Sequence, residues 1–204
     1  VAPNETGRRH SRDDVAEAAL RILDDLGLPD LTMRRLAASL DVQPSALYWH
    51  FPNKQTLLAE LADRIVATRP AAGADEAPAP DDWRDAVRAE AAALRDALLA
   101  YRDGAEVVSS TLALGLGSPE TVERLAGAVA QGGFDVETSR RAATALLHFV
   151  LGHVSHEQQR LQYDSLGVLA DAGASPLDED DPAAAFSFGV GLLVGGLELS
   201  RSRR

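Results

Sequence analysis

The chain of 204 residues carries 20 basic and 31 acidic side chains, a formal net charge of -11, with 46% hydrophobic residues and no cysteine. That length can bury the core of one or two domains, and the missing thiols exclude disulfides, thiolate nucleophiles and cysteine-bound metals, with a reducing cytoplasm as the expected setting. The N-terminal VAPNETGRRHSRDD lacks the apolar stretch of a secretory signal, and no apolar run approaches the roughly 18 residues that span a bilayer, so neither export nor membrane insertion is expected.

Apolar residues recur at helical spacing between proline and glycine breaks, which predicts an all-α chain without strands. A first helix starts at Ser11, capped reciprocally with Asp14, and buries Val15, Ala18, Ala19, Ile22, Leu23 and Leu26 before Gly27 stops it. Thr32 caps a short second helix to about Leu40. Pro44, tolerated in a first turn, opens a third that runs to Trp49 or His50. Asn53 caps a fourth, with Leu57, Leu58, Leu61 and Ile65 inward.

The stretch 70–81, PAAGADEAPAPD, reads as a loop. It divides a head, 1–69, from a body, 70–204. Helical patterns follow near 82–102, 104–114, 119–132 and 136–163, then an acidic loop, 171–182. A last helix from Ala183 to Ser200 is apolar almost all round and requires burial on most sides. Its FSFGVGLLVGGL core is too short to span a membrane and fits a core or subunit interface, where Gly191, Gly195 and Gly196 admit close approach of another helix.

The short helices on either side of Asp41 and Val42 have the spacing of a helix-turn-helix, whose second helix lies in the major groove. Leu36, Ala37, Leu40 and Leu47 form the small core that sets their angle. Gln43, Ser45, Ala46 and Tyr48 face outward, the first two suited to base edges and Ala46 to a thymine methyl. Tyr48, His50, Lys54 and Arg34 suit phosphates, and Thr32, Pro44 and Trp49 complete the candidate DNA-binding set. The net charge argues against such a role, but its distribution does not: residues 1–54 hold seven basic and eight acidic side chains, leaving 13 and 23 downstream. An acidic body repels DNA and favours a narrow, specific contact.

The run Leu47, Tyr48, Trp49, His50, Phe51, Asn53 and Lys54 closely resembles the end of the DNA-binding head in the TetR family of transcriptional regulators, and the likeness covers residues 11–68. The body is similar to the family's tetracycline-repressor-like subgroup at Trp83, ALLAYRDGAEV, Gly133 and Phe134, HFVLG, Glu157 to Gln159, and AFSFGVGLLVGGLE. The resemblance implies a three-helix head with a connecting fourth helix. It also implies a homodimer closed by a four-helix bundle of the 136–163 helix and the last helix, a double-stranded operator, and a small-molecule effector.

Departures from that pattern redirect the ligand. Drug-binding members hold a magnesium-chelated tetracycline with a histidine where this chain has Val108. Two further histidines correspond to Arg69 and Pro70, and a drug-bonding asparagine to Glu90. The effector expected is therefore not tetracycline but a largely apolar molecule, with Glu90, Leu94, Val108, Thr111, Leu112, Leu147, Leu151 and His156 as candidate pocket residues. Pro44, Ser45 and Ala46 replace the family's glutamine-proline-threonine opening of the reader helix, and Met33 replaces a threonine, so a different operator is expected.

His153, His156 and Glu157 share one helical face, yet no second carboxylate stands at a ligand spacing. An interface or pocket-lining role is expected for them and for His148, with no metal or cofactor. The acidic run Asp178 to Asp181 reads as a solvated loop and Arg201 to Arg204 as a frayed tail. No Gly-rich phosphate loop, serine elbow or convergent carboxylate pair supports an enzyme. A sequence-specific repressor released by its effector is the reading. A dimerising body without an effector, and an activator, stay open.

Overall fold

The computed structural model describes residues 10–67, 82–167, 177 and 181–201, so the expected 70–81 loop, Arg69, Pro70, most of the acidic loop and residues 202–204 lie outside the described residues. Among the described residues the secondary structure is nine α-helices without a strand.

The head comprises α1 (Arg12–Leu26), α2 (Met33–Ser39), α3 (Pro44–Leu47) and α4 (Lys54–Ala67). Ser11 caps α1 as its sequence predicts: its hydroxyl accepts from the Asp14 N–H and the Asp14 carboxylate accepts from the Ser11 N–H at 2.7 Å. Val15, Ala18, Ala19, Ile22 and Leu23 are buried, but Leu26, the last residue of α1, is exposed beyond the final buried turn. Gly27 then bends the chain with φ 87°, and a Cβ there would crowd the Asp103 carboxylate, so glycine is needed both for conformation and for space. Thr32 caps α2, accepting from the Arg35 N–H at 3.1 Å, and Asp41 makes the turn in the left-handed region at φ 53°.

The body is built from α5 (Trp83–Leu99), α6 (Gly104–Ala113), α7 (Glu120–Ala130), α8 (Val136–Ser165) and α9 (Pro182–Arg201). Trp83 meets Phe134 edge to face at 5.2 Å between centroids, and a side chain at Gly132 would press on both rings. Gln158 is buried on α8 and satisfies the α5–α6 turn: its amide donates to the carbonyls of Leu98 at 2.9 Å and Tyr101 at 2.8 Å, and its oxygen accepts from the Ala105 N–H. One continuous apolar core runs from Val15 in the head to Val194 in the body.

Three carboxylates tie head to body, the first being Asp24 of α1, which accepts from the Arg102 N–H at 3.3 Å. Asp103, left-handed at φ 56°, accepts from the Leu28 N–H at 2.7 Å and also from the Gln162 amide. Asp63 on α4 accepts from the Ser118 N–H at 2.6 Å, just ahead of α7.

The last helix corrects one expectation. Over its 20 residues α9 has a window of mean hydropathy 1.5, long and apolar enough to cross a membrane by length and composition, and only 17% of that window is buried. Counting uninterrupted apolar side chains misses this, because its glycines and serines interrupt the run without adding charge. Phe186, Val190 and Val194 face inward, whereas Phe188, Leu192 and Leu199 are exposed. The close approach occurs at Gly189, where a Cβ would run into the Phe149 ring. At Gly191, Gly195 and Gly196 a Cβ would meet open space within this chain.

Candidate nucleic-acid interface and body pocket

The reader helix is shorter than its sequence predicts. α3 is a single turn, Pro44–Leu47, and Tyr48 to His50 continue as a hydrogen-bonded turn, with the His50 and Phe51 N–H groups both donating to the Leu47 carbonyl. Four residues cannot propagate a helix, and the Phe51-Pro52 pair disfavours continuing it. Leu47 and Phe51 are fully buried anchors on either side, so the residues between them are pushed outward. Trp49 is 90% exposed and Tyr48 49%. The two adjacent aromatic side chains therefore lie on the surface of the head.

The candidate DNA-binding residues fall on the start of α2, on α3, on the turn after it and on the start of α4. Thr32 and Arg34 lie at the start of α2, and Gln43, Pro44 and Ser45 are exposed at the start of α3. Ala46 and His50 are half-buried, and Lys54 opens α4. Arg35 is turned to another use, an ion pair with Asp30 at 2.6 Å. Asn53 caps α4, accepting from the Thr56 N–H at 2.8 Å, and so fixes where Lys54 begins.

Behind this edge stands a residue that the sequence pattern does not single out. Arg12 donates to the His50 carbonyl at 3.1 Å and through two nitrogens to Glu60, and its guanidinium lies 4.4 Å from the Phe51 ring centroid. Arg64 bridges the same Glu60 to Asp13. Burial pushes the Glu60 carboxyl up, but the hydrogen bonds and charges of Arg12 and Arg64 outweigh it and hold the group below its ordinary value.

In the body, Val108, Thr111 and Leu112 of α6 line a cavity of about 10 Å³ with Ala62, Asp63 and Val66 of α4 and with Gly117, Ser118 and Thr121. Leu94, Leu147 and Leu151 are buried in the adjoining core rather than along that cavity. Glu90 is engaged with Arg124 across α5 and α7 at 2.9 and 3.0 Å, both side chains largely buried. His156 lies apart, in a separate cleft of about 140 Å³ with His153, Glu157 and Arg160.

The structure therefore brings together the α6 members of the candidate pocket and separates Glu90 and His156 from them. His153 and His156 bond through Nε2 to the carbonyls of Pro182 and Leu177, tying the first residue of α9 and the chain ahead of it to α8. His148 is exposed. Among the described residues no group of three metal-binding side chains gathers. Glu157 is instead paired with Arg95 at 2.7 Å, beneath Phe186. The participants missed from sequence, Asp63, Asp103 and Arg124, act through long-range pairs whose partners lie 34 to 75 residues away, which helical periodicity does not reveal.

Comparison with known proteins places both halves. Residues 15–61 match the family described as bacterial regulatory proteins, tetR family, and residues 77–166 match the tetracyclin repressor-like C-terminal domain. The chain is 35% identical to the tetracycline repressor protein class A from transposon 1721 of Escherichia coli, over 92% of this chain and 90% of that one. Among solved structures it is similar to BioQ with its double-stranded DNA operator, at 42% identity, TM-score 0.74 and coverage of 92% and 98% of the two chains. It is also similar to a point variant of TetR from Acinetobacter baumannii AYE in complex with minocycline, at 33% identity, TM-score 0.73 and coverage of 94% and 98%.

Proposed function

The chain belongs to the TetR family of bacterial regulatory proteins, and on that premise we propose that it is a sequence-specific transcriptional repressor, a homodimer released from its operator by a small molecule. The observation that carries the reading is the exposed edge Gln43 to His50, with Trp49 and Tyr48 held out from buried Leu47 and Phe51. Gln43 and Ser45 read base edges, Ala46 meets a thymine methyl, and Arg34, Tyr48, His50 and Lys54 grip phosphates, with Thr32, Pro44 and Trp49 along the same edge. The domain division falls between 69 and 70, and the protein works in the cytoplasm.

The uncovered apolar face of α9 packs against its copy in a second subunit, which sets two heads into successive major grooves. In the relatives, one structure holds operator DNA and another holds minocycline. Here Val108 supplies no metal-binding imidazole, so the effector is a largely apolar molecule other than tetracycline, received where α4, α6 and α7 meet. By reciprocity, operator weakens effector binding. Selection of bound fragments from random DNA tests the reading: a palindrome with half-sites about one helical turn or a multiple apart supports it, and enrichment of no sequence sinks it.

A second reading, a dimerising body without an effector, is favoured by the cavity of about 10 Å³ at Val108, which holds at most one water. Thermal stabilisation by one member of an apolar and polyketide-like panel removes it.

A further inference from the structure

We propose that Arg12 is a positioning residue for DNA reading, holding the exposed Tyr48–His50 turn in orientation through the His50 carbonyl. The inference rests on the operator-reading role of that turn and supplies what orders it. α3 has one turn, and the first turn of a helix fixes several dihedrals for little hydrogen-bond return, so the segment is not stable by itself. Buried Leu47 and Phe51 fix where the exposed residues start and end, and the His50 and Phe51 N–H groups hold the turn from one side through the Leu47 carbonyl. Arg12 holds the last peptide of the turn from its other side, at the His50 carbonyl.

Its guanidinium meets three partners at once: the His50 carbonyl through Nη1 at 3.1 Å, Glu60 through Nε at 3.1 Å and Nη2 at 2.8 Å, and the face of Phe51 at 4.4 Å. A planar fork can satisfy carbonyl and carboxylate together while stacking on a ring, which the point charge of lysine cannot. Because Glu60 lies on α4 and is shared with Arg64, which also holds Asp13, the reader turn, α1 and the connecting helix are joined in one network. The Arg12 side chain is 53% exposed, so its ion pair adds little to stability. Its effect on reading is larger, because a binding constellation must be held to within about 0.5 Å.

The test uses full-length protein labelled with fluorotryptophan, which gives two signals because the chain has two tryptophans, Trp49 and Trp83. In Arg12→Lys and Arg12→Met the Trp49 resonance is expected to shift or broaden while buried Trp83 stays fixed. Operator affinity should fall about tenfold with an unchanged melting temperature, and non-specific affinity and salt dependence should hold at the wild-type values. An unmoved Trp49 signal overturns the proposal. So does a parallel loss of specific and non-specific affinity with a shallower salt slope, which would make Arg12 a direct phosphate contact. A loss of operator affinity that tracks the melting temperature also overturns it. A wild-type chain that selects no operator removes the DNA-reading role itself, and the Trp49 signal then still separates a held turn from a free one.

Discussion

Ser45 and Tyr48 are three residues apart on the reader edge, yet their chemistry assigns them different consequences. The Ser45 hydroxyl is exposed at the start of α3 and Tyr48 is half exposed just past its end, and the proposed function assigns the first to base edges and the second to phosphates. Ser45→Ala should relax preference at one base position of the operator. Tyr48→Ala should weaken binding to all sequences by a similar factor. Quantitative binding to a panel of single-base operator variants distinguishes them, and the same profile for both would refute the division. Gln158 marks the opposite case, a polar side chain whose work is internal. Gln158→Leu strips partners from the Leu98 and Tyr101 carbonyls and the Ala105 N–H, all at the buried α5–α6 turn. Orphaned groups of this kind cost about 1–3 kcal/mol each, so a loss of about 3 kcal/mol in urea unfolding is expected, compared at equal protein concentration.

At the scale of elements, much of the architecture is legible in the sequence because helix ends carry local chemistry. Ser11 with Asp14, Thr32, Asn53 and Gly27 each mark a boundary that the fold keeps. The reader helix is not legible to its end, since Tyr48 to His50 have acceptable helical propensity and the Phe51-Pro52 pair marks the stop only to within a turn. The joint is hidden for another reason: Asp103 reads as an ordinary helix-start aspartate, and its bond to the Leu28 N–H spans 75 residues. Of the candidate pocket residues, Val108, Thr111 and Leu112 line one cavity, while Glu90 is drawn off by Arg124, a pairing that helical periodicity does not reveal. Asp103→Ala should release the Leu28 N–H and speed amide exchange through 27–31 about tenfold or more, leaving protection in the middle of α8 unchanged. Equal loss of protection in both places would mean that Asp103 supports the whole fold rather than the joint.

For the whole molecule, the deciding surface is the outer face of α9. Phe188, Leu192 and Leu199 are exposed on a helix whose inner face, Phe186, Val190 and Val194, is already packed, and a helix apolar all round needs covering on both sides. A self-complementary contact about a two-fold axis, as proposed, would cover this face and double the number of heads. Leu192→Glu would bury an unpaired charge there, which costs far more than an exposed glutamate gains, so the variant should sediment as a folded monomer. Its operator affinity should fall by about 10²–10⁴-fold, because the second half-site is then no longer bound at the effective concentration set by the first. The acidic body steepens the loss: the 13 basic and 23 acidic residues beyond residue 54 repel the duplex, and a single head must overcome that repulsion with the contacts of one edge. Sedimentation velocity and operator titration at matched salt check both halves of the expectation. Phe188→Glu should behave the same way if the outer face is the interface, and a dimer that survives both substitutions places the contact elsewhere.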